Sequence, residues 1–167
     1  MAVAARLAVI GGSPAAIELF VADLPGRGHG QLIDALAAQI GTDAGFLPVR
    51  TAGRVQLVAK HAIAWIAVPR RAAEAADAVE AAPPVLELAT ELSEELTLYD
   101  HQYFVEVELA DRTKLIGTLL DSAPAGHSRA IDHLNRAGRL LRLWTTDEHY
   151  LVNTRQIVTV TELGEVW

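Results

Sequence analysis

The stretch Gly126-His127-Ser128-Arg129-Ala130-Ile131-Asp132-His133-Leu134 repeats, 98 positions on, the skeleton of Gly28-His29-Gly30-Gln31-Leu32-Ile33-Asp34-Ala35-Leu36. Five of the nine residues coincide in one frame: Gly, His, Ile, Asp and Leu. Further along, the offset drops to 94, so that Leu57-Val58 matches Leu151-Val152 while Ile63 and Ile66 match Ile157 and Val160. A difference of four residues is about one helical turn. Similarity on both sides of such a gap points to an internal duplication, and a duplicated chain is expected to fold as two versions of one unit.

The unit itself reads as β-β-α-β-β-β. In the first copy, Arg6–Ile10 forms a strand that Gly11-Gly12-Ser13-Pro14 turns back into Ile17–Val21. Leu32, Ile33, Leu36 and Ile40 recur at helical spacing, and Gly41 stands where a left-handed cap is favoured. Phe46–Val49, Arg54–Val58 and Ala62–Val68 then read as three strands, stopped by Pro69. The second copy repeats this with strands at Tyr103–Leu109 and Lys114–Leu120 and a helix with Ser128 as N-cap. Further strands follow at Leu140–Trp144, His149–Val152 and Gln156–Leu163. The fold class expected is α+β and β-rich: repeat 1 over 1–70, an acidic helical connector over 71–98 and repeat 2 over 99–167. Each repeat is a small bent sheet or partly open barrel.

The connector carries the chain's charge. Residues 71–100 hold eight acids against Arg71, a balance of −7 that equals the net charge of the whole chain. Along it and into the start of repeat 2, Val85, Leu88, Ala89, Leu92, Leu96 and Tyr99 recur at helical spacing after Pro83-Pro84, so it is expected to pack rather than to hang free. An acidic connector also disfavours polyphosphate partners, because nucleic-acid affinity rests on Lys and Arg neutralising phosphates. The chain has no cysteine, no apolar run long enough to span a bilayer, and no leader-like charge and cleavage pattern in its first ten residues. A cytoplasmic protein is the expectation.

Two copies can be compared with each other. Leu7 and Val9 match Val105 and Val107, so one strand face is apolar in both. The opposite face differs, with Ala8 and Ile10 against Glu106 and Glu108, Phe20 against Thr118, and Trp65 and Ala67 against Thr159 and Thr161. Because strand side chains alternate faces, the first copy is expected to bury an outer surface that the second leaves wet. Ile10, Phe20 and Trp65 mark that candidate interaction surface. Its cover is either the chain's own connector or second copy, or else a protein partner or another copy of the chain.

Signals for chemistry are weak. His29, His61, His101, His127, His133 and His149 fall in no compact zinc-binding spacing and have no cysteine to join them. The repeated pairs His29/Asp34 and His127/Asp132 read as polar residues satisfying a helix start. Neither the serines nor the glycine clusters match nucleophile-elbow or phosphate-loop spacing. No catalytic, cofactor-binding or metal-ligating residue is therefore assigned, and no cofactor is expected. Arg136, Arg139 and Arg142, with Trp144 nearby, form the one local basic cluster and a candidate anion or nucleic-acid patch.

A helix among five short strands is similar, at the level of topology only, to Sm- and SH3-type barrels; the sequence signatures of those families are absent, so no function carries over. The leading expectation is a non-enzymatic interaction module, an adaptor or regulatory subunit. The alternatives are a nucleic-acid binder using the arginine patch and a metal- or ligand-dependent enzyme. On this reading, purified protein and a His127→Ala variant carry the same, sub-stoichiometric metal by elemental analysis; stoichiometric zinc lost in the variant would restore the metal alternative.

Overall fold

A computed structural model describes residues 2–21, 29–42, 45–70, 101–121 and 130–165. Before residue 71 come β1 (Ala2–Val9), β2 (Ala15–Phe20), α1 (His29–Gly41), β3 (Phe46–Thr51), β4 (Arg54–Ala59) and β5 (Ile63–Pro69). After residue 100 come β6 (His101–Leu109), β7 (Lys114–Asp121), α2 (Ala130–Arg136), β8 (Leu140–Trp144), β9 (Glu148–Asn153) and β10 (Ile157–Glu165). Single 3-10 turns, Lys60–Ala62 and Thr154–Gln156, lead into β5 and β10. The expected connector over 71–98, with Ser128 and His127, lies outside the described residues.

Local chemistry accounts for the elements. In β1, buried Val3, Ala5 and Leu7 alternate with exposed Ala4 and Arg6, the period of a half-covered strand. Ala52 and Gly53 both take positive φ, 48° and 77°, which closes the β3–β4 hairpin with a two-residue loop matched to strand twist. Leu32, Ile33, Leu36 and Ile40 form the buried stripe of α1. Buried Lys60 donates from Nζ to the Gln39 carbonyl (2.5 Å) and to Thr42 Oγ1 (2.6 Å), placing a cation on the free carbonyls at the helix end. The corresponding position after residue 100 is Thr154, whose Oγ1 donates to the Gly138 carbonyl at 2.9 Å.

Among the described residues, ten strands form one antiparallel sheet in the order β10-β6-β7-β8-β9-β5-β1-β2-β3-β4, which is not closed. In place of two separate small sheets there is a single continuous one. Before residue 71 the order is β5-β1-β2-β3-β4, and after residue 100 it is β10-β6-β7-β8-β9, so each half places its first strand between its last and its second. The halves meet where β9 pairs with β5, in a register running from Trp65↔Val152 to Pro69↔Glu148.

Two cores lie on the two faces of this joint. Ile63, Ile66 and Val68 belong to the first, with α1, β1, β2 and β3; Ala64, Trp65 and Ala67 belong to the second, with β6, β7 and β8. A register shift between Ala8 and Val9 on the neighbouring strand β1 accompanies this change of face. Strand β5 is apolar throughout because both of its faces are covered. The exchange runs both ways: Leu151 of β9 sits in the first core, while Ala8 of β1 sits in the second.

At the other side of the second core β7 and β8 approach closely, joined at a single paired position, Thr118↔Trp144. A Cβ on Gly117 would come within 2.6 Å of the Trp144 carbonyl oxygen, so only glycine lets these strands cross there. The burial of Trp65 predicts that Trp65→Ala lowers folding stability by about 3–5 kcal/mol. Urea unfolding would measure it; a loss under about 1 kcal/mol would contradict the packing described.

Candidate functional site

The β5·β9 joint is clamped by a polar cluster on its rim. Arg6 donates from Nε to Glu148 Oε1 at 2.8 Å and from Nη2 to Glu148 Oε2, a two-pronged guanidinium–carboxylate pair. Tyr150 donates its hydroxyl to Glu148 Oε2 at 2.7 Å and accepts from Arg6 Nη2 at 3.1 Å. The Arg6 guanidinium stands 5.7 Å over the Trp65 ring, and the Trp65 and Tyr150 rings meet at 5.4 Å. Further in, Asn153 Nδ2 donates to the buried Ile63 carbonyl at 2.9 Å. Burial alone would push the Glu148 carboxyl up; the hydrogen bonds from Arg6 and Tyr150, with the charge of Arg6, outweigh it and hold the group below its ordinary value. Burial, together with donation to Glu148, pushes the Tyr150 hydroxyl up to about 12.

The structure separates the three residues of the first candidate surface. Trp65 is buried at the joint, covered within the chain by the second half. Ile10 is exposed at the end of β1, its backbone N–H bound to the Ala62 carbonyl at 2.9 Å. Phe20 is half-buried, with the Arg50 guanidinium 5.0 Å from its ring centre.

The arginine cluster is likewise dispersed. Arg142 forms an ion pair with Asp34 of α1 at 2.5 Å. Arg139 Nη1 reaches the Thr42 carbonyl at 3.4 Å, and Arg136 Nε donates to the Asp132 carbonyl within its own helix at 3.0 Å. Two of the three thus tie the second half to the first, Arg142 at α1 and Arg139 just past its end. Trp144 is buried, its ring 3.8 Å from that of His149. Arg142 and Trp144 share a recess of about 240 Å³ with His133 and Leu140, which Arg136 and Arg139 do not line.

Among the described residues, no group of three or more His, Asp or Glu side chains is arranged to hold a metal ion. His127 and the side chains of His29 and His101 lie outside the described residues. No helix among the described residues is long and apolar enough to cross a membrane.

Sequence reasoning did not single out the surfaces that stand out in the structure, the two free edges of the sheet. On the β3–β4 edge, Phe46, Val55 and Leu57 are 61%, 60% and 68% exposed. At the other end, an open groove of about 410 Å³ runs between α2 and β10, lined by Ile131, Leu134, Ile157 and Val160 with Thr159 and Glu162. Ile131 is itself 59% exposed. Unpaired strand edges flanked by apolar side chains are templates for pairing with another strand. A signal for them existed: Leu57 coincides with Leu151 at the sequence offset of 94, and a solvent-facing edge does not require leucine there.

No family model, no curated protein and no solved structure matches this chain.

The rim cluster has a consequence for pH. A carboxyl held below its unfolded value contributes stability that is present above the unfolded value and is lost as pH falls through the folded one. Thermal melts from about pH 5 down to about pH 3 should therefore show wild-type protein losing more stability than Glu148→Gln. Equal losses would mean that the Glu148 carboxylate contributes nothing to the joint.

Proposed function

We propose that this chain is a non-enzymatic cytoplasmic protein-interaction module, an adaptor or regulatory subunit, which docks partners along the free edges of its sheet. The reading includes the sequence-level architecture: repeats over 1–70 and 99–167, joined by an acidic connector over 71–98. The matching strand order of the two halves supports that duplication and its topological likeness to Sm- and SH3-type units.

The observation that carries the proposal is the exposed apolar surface at both edges: Phe46, Val55 and Leu57 at one, and Ile131 with the α2–β10 groove at the other. Strand addition supplies backbone hydrogen bonds for affinity and alternate side-chain pockets for selectivity. The arginines favour the nucleic-acid alternative less, since Arg142 pairs with Asp34 of α1 and Arg139 donates to the Thr42 carbonyl just beyond that helix.

Cross-linked co-purification tests the reading, with the full chain as bait beside Leu57→Lys and Ile131→Lys. A defined set of protein partners, lost from at least one variant while the variant stays folded, is the expected result. Partner sets identical across all three baits would overturn edge docking, and salt-sensitive retention of RNA or DNA instead would favour the alternative.

A further inference from the structure

The internal joint is a template for an external one. It pairs the fourth strand of the second half, β9, with the fifth strand of the first half, β5. Among the described residues, the strands with one side unpaired at the ends of the sheet are the fourth strand of the first half, β4, and the fifth strand of the second half, β10. They are the same two kinds of edge. We propose that this chain associates head to tail with further copies of itself, β4 of one copy adding to β10 of the next in the register of the internal joint. This rests on the interaction-module reading and names its partner.

Shifting the internal register by the repeat offset of 94 sets Val160 opposite Leu57, Thr161 opposite Gln56 and Glu162 opposite Val55. The side chains around that register correspond as well. In the internal joint, Leu151 is fully buried in the first core with Ile33, Leu36, Ile63 and Ile66, and Leu140 packs against that cluster. The repeat counterparts of those four residues are Ile131, Leu134, Ile157 and Val160, which line the open groove together with Val158. The counterparts of Leu151 and Leu140 are Leu57 and Phe46, two of the exposed apolar residues beside the β4 edge. One end of the molecule therefore presents the apolar side chains that the groove at the other end lacks.

The charges agree with this pairing. Strand β4 carries Arg54 and no acid, whereas β10 carries Glu162 and Glu165 and no base. The opposite side of the joint sets its strength. Trp65 and Ala67, buried internally, become Thr159 and Thr161 on β10, and the Arg6–Glu148 pair becomes Phe104 and Arg54. The external joint thus lacks the aromatic anchor and the two-pronged ion pair of the internal one, so it is reversible and concentration-dependent. A contact that joins unlike surfaces either closes into a ring or continues as an open chain.

Sedimentation of the full chain over a range of concentrations tests the proposal. Wild-type protein should populate masses at whole multiples of 17.9 kDa as concentration rises. Leu57→Lys and Ile131→Lys alter exposed side chains, so both should keep the wild-type circular dichroism and melting temperature; each should remain at the single-chain mass. An equimolar mixture of the two variants should form a dimer and stop there, because only one intact β4 edge and one intact groove can meet. Three results would overturn the proposal: a wild type that stays single-chain at every concentration, a mixture that fails to pair, or association abolished by Leu57→Lys but not by Ile131→Lys, which signals a symmetric β4–β4 contact. A single-chain wild type that still captures a different protein through Leu57 would remove self-association alone and leave edge docking in place.

Discussion

The pairing of β5 with β9 is the constraint on which the rest of the molecule depends. It turns ten short strands into one sheet and gives β5 a covered face on each side. Each half supplies residues to the other's core: Leu151 goes to the first, and Ala8, Trp65 and Ala67 go to the second. Units of this size bury a smaller share of their surface than larger domains do, so an exchange of core residues stabilises both. The rim cluster of Arg6, Glu148 and Tyr150 and the Asn153–Ile63 hydrogen bond then fix the register with polar geometry that a slipped pairing would leave unsatisfied.

Much of this was legible residue by residue, and the rest failed for a physical reason. Alternation of side chains, turn residues and the stripe of Leu32, Ile33, Leu36 and Ile40 depend on near neighbours, and those elements were found where they were expected. The uninterrupted run from Ile63 to Val68 also contained the message that both faces of β5 are covered. What covers them depends on residues far away in the chain, and no local pattern names Val152 or Tyr150 as the neighbours of Trp65. The arginines meet the same limit of local reading. Arg142 stands in a basic cluster by sequence, yet its carboxylate partner, Asp34, lies on a helix of the other half. The free edges escaped notice because exposure is a property of the assembled sheet, not of Phe46 or Leu57 taken singly.

Strands β5 and β10, the last of each half, meet different surroundings, and their chemistry follows. At the joint, Trp65 and Ala67 of β5 pack against a core; at the sheet's end, Thr159 and Thr161 of β10 are exposed. Lys60 and Thr154 hold corresponding backbone turns with different side chains, a long cation reaching α1 in one case and a short hydroxyl in the other. A shared scaffold with unlike side chains allows one contact to be permanent and a related one to be selective, since selectivity is a difference between affinities.

The span between β5 and β9 also bears on how the chain reaches its native state. Strand β5 is complete long before Leu151 leaves the ribosome, so the first core spends part of its synthesis without its last occupant. Pairings between segments so distant in the chain are slow to form because the intervening loop must first be closed. During that interval the edge of β5 that β9 will occupy is open, and β9 of a second chain has the same sequence and fits it equally well. Exchange of second halves between chains is thus a hazard inherent in this topology.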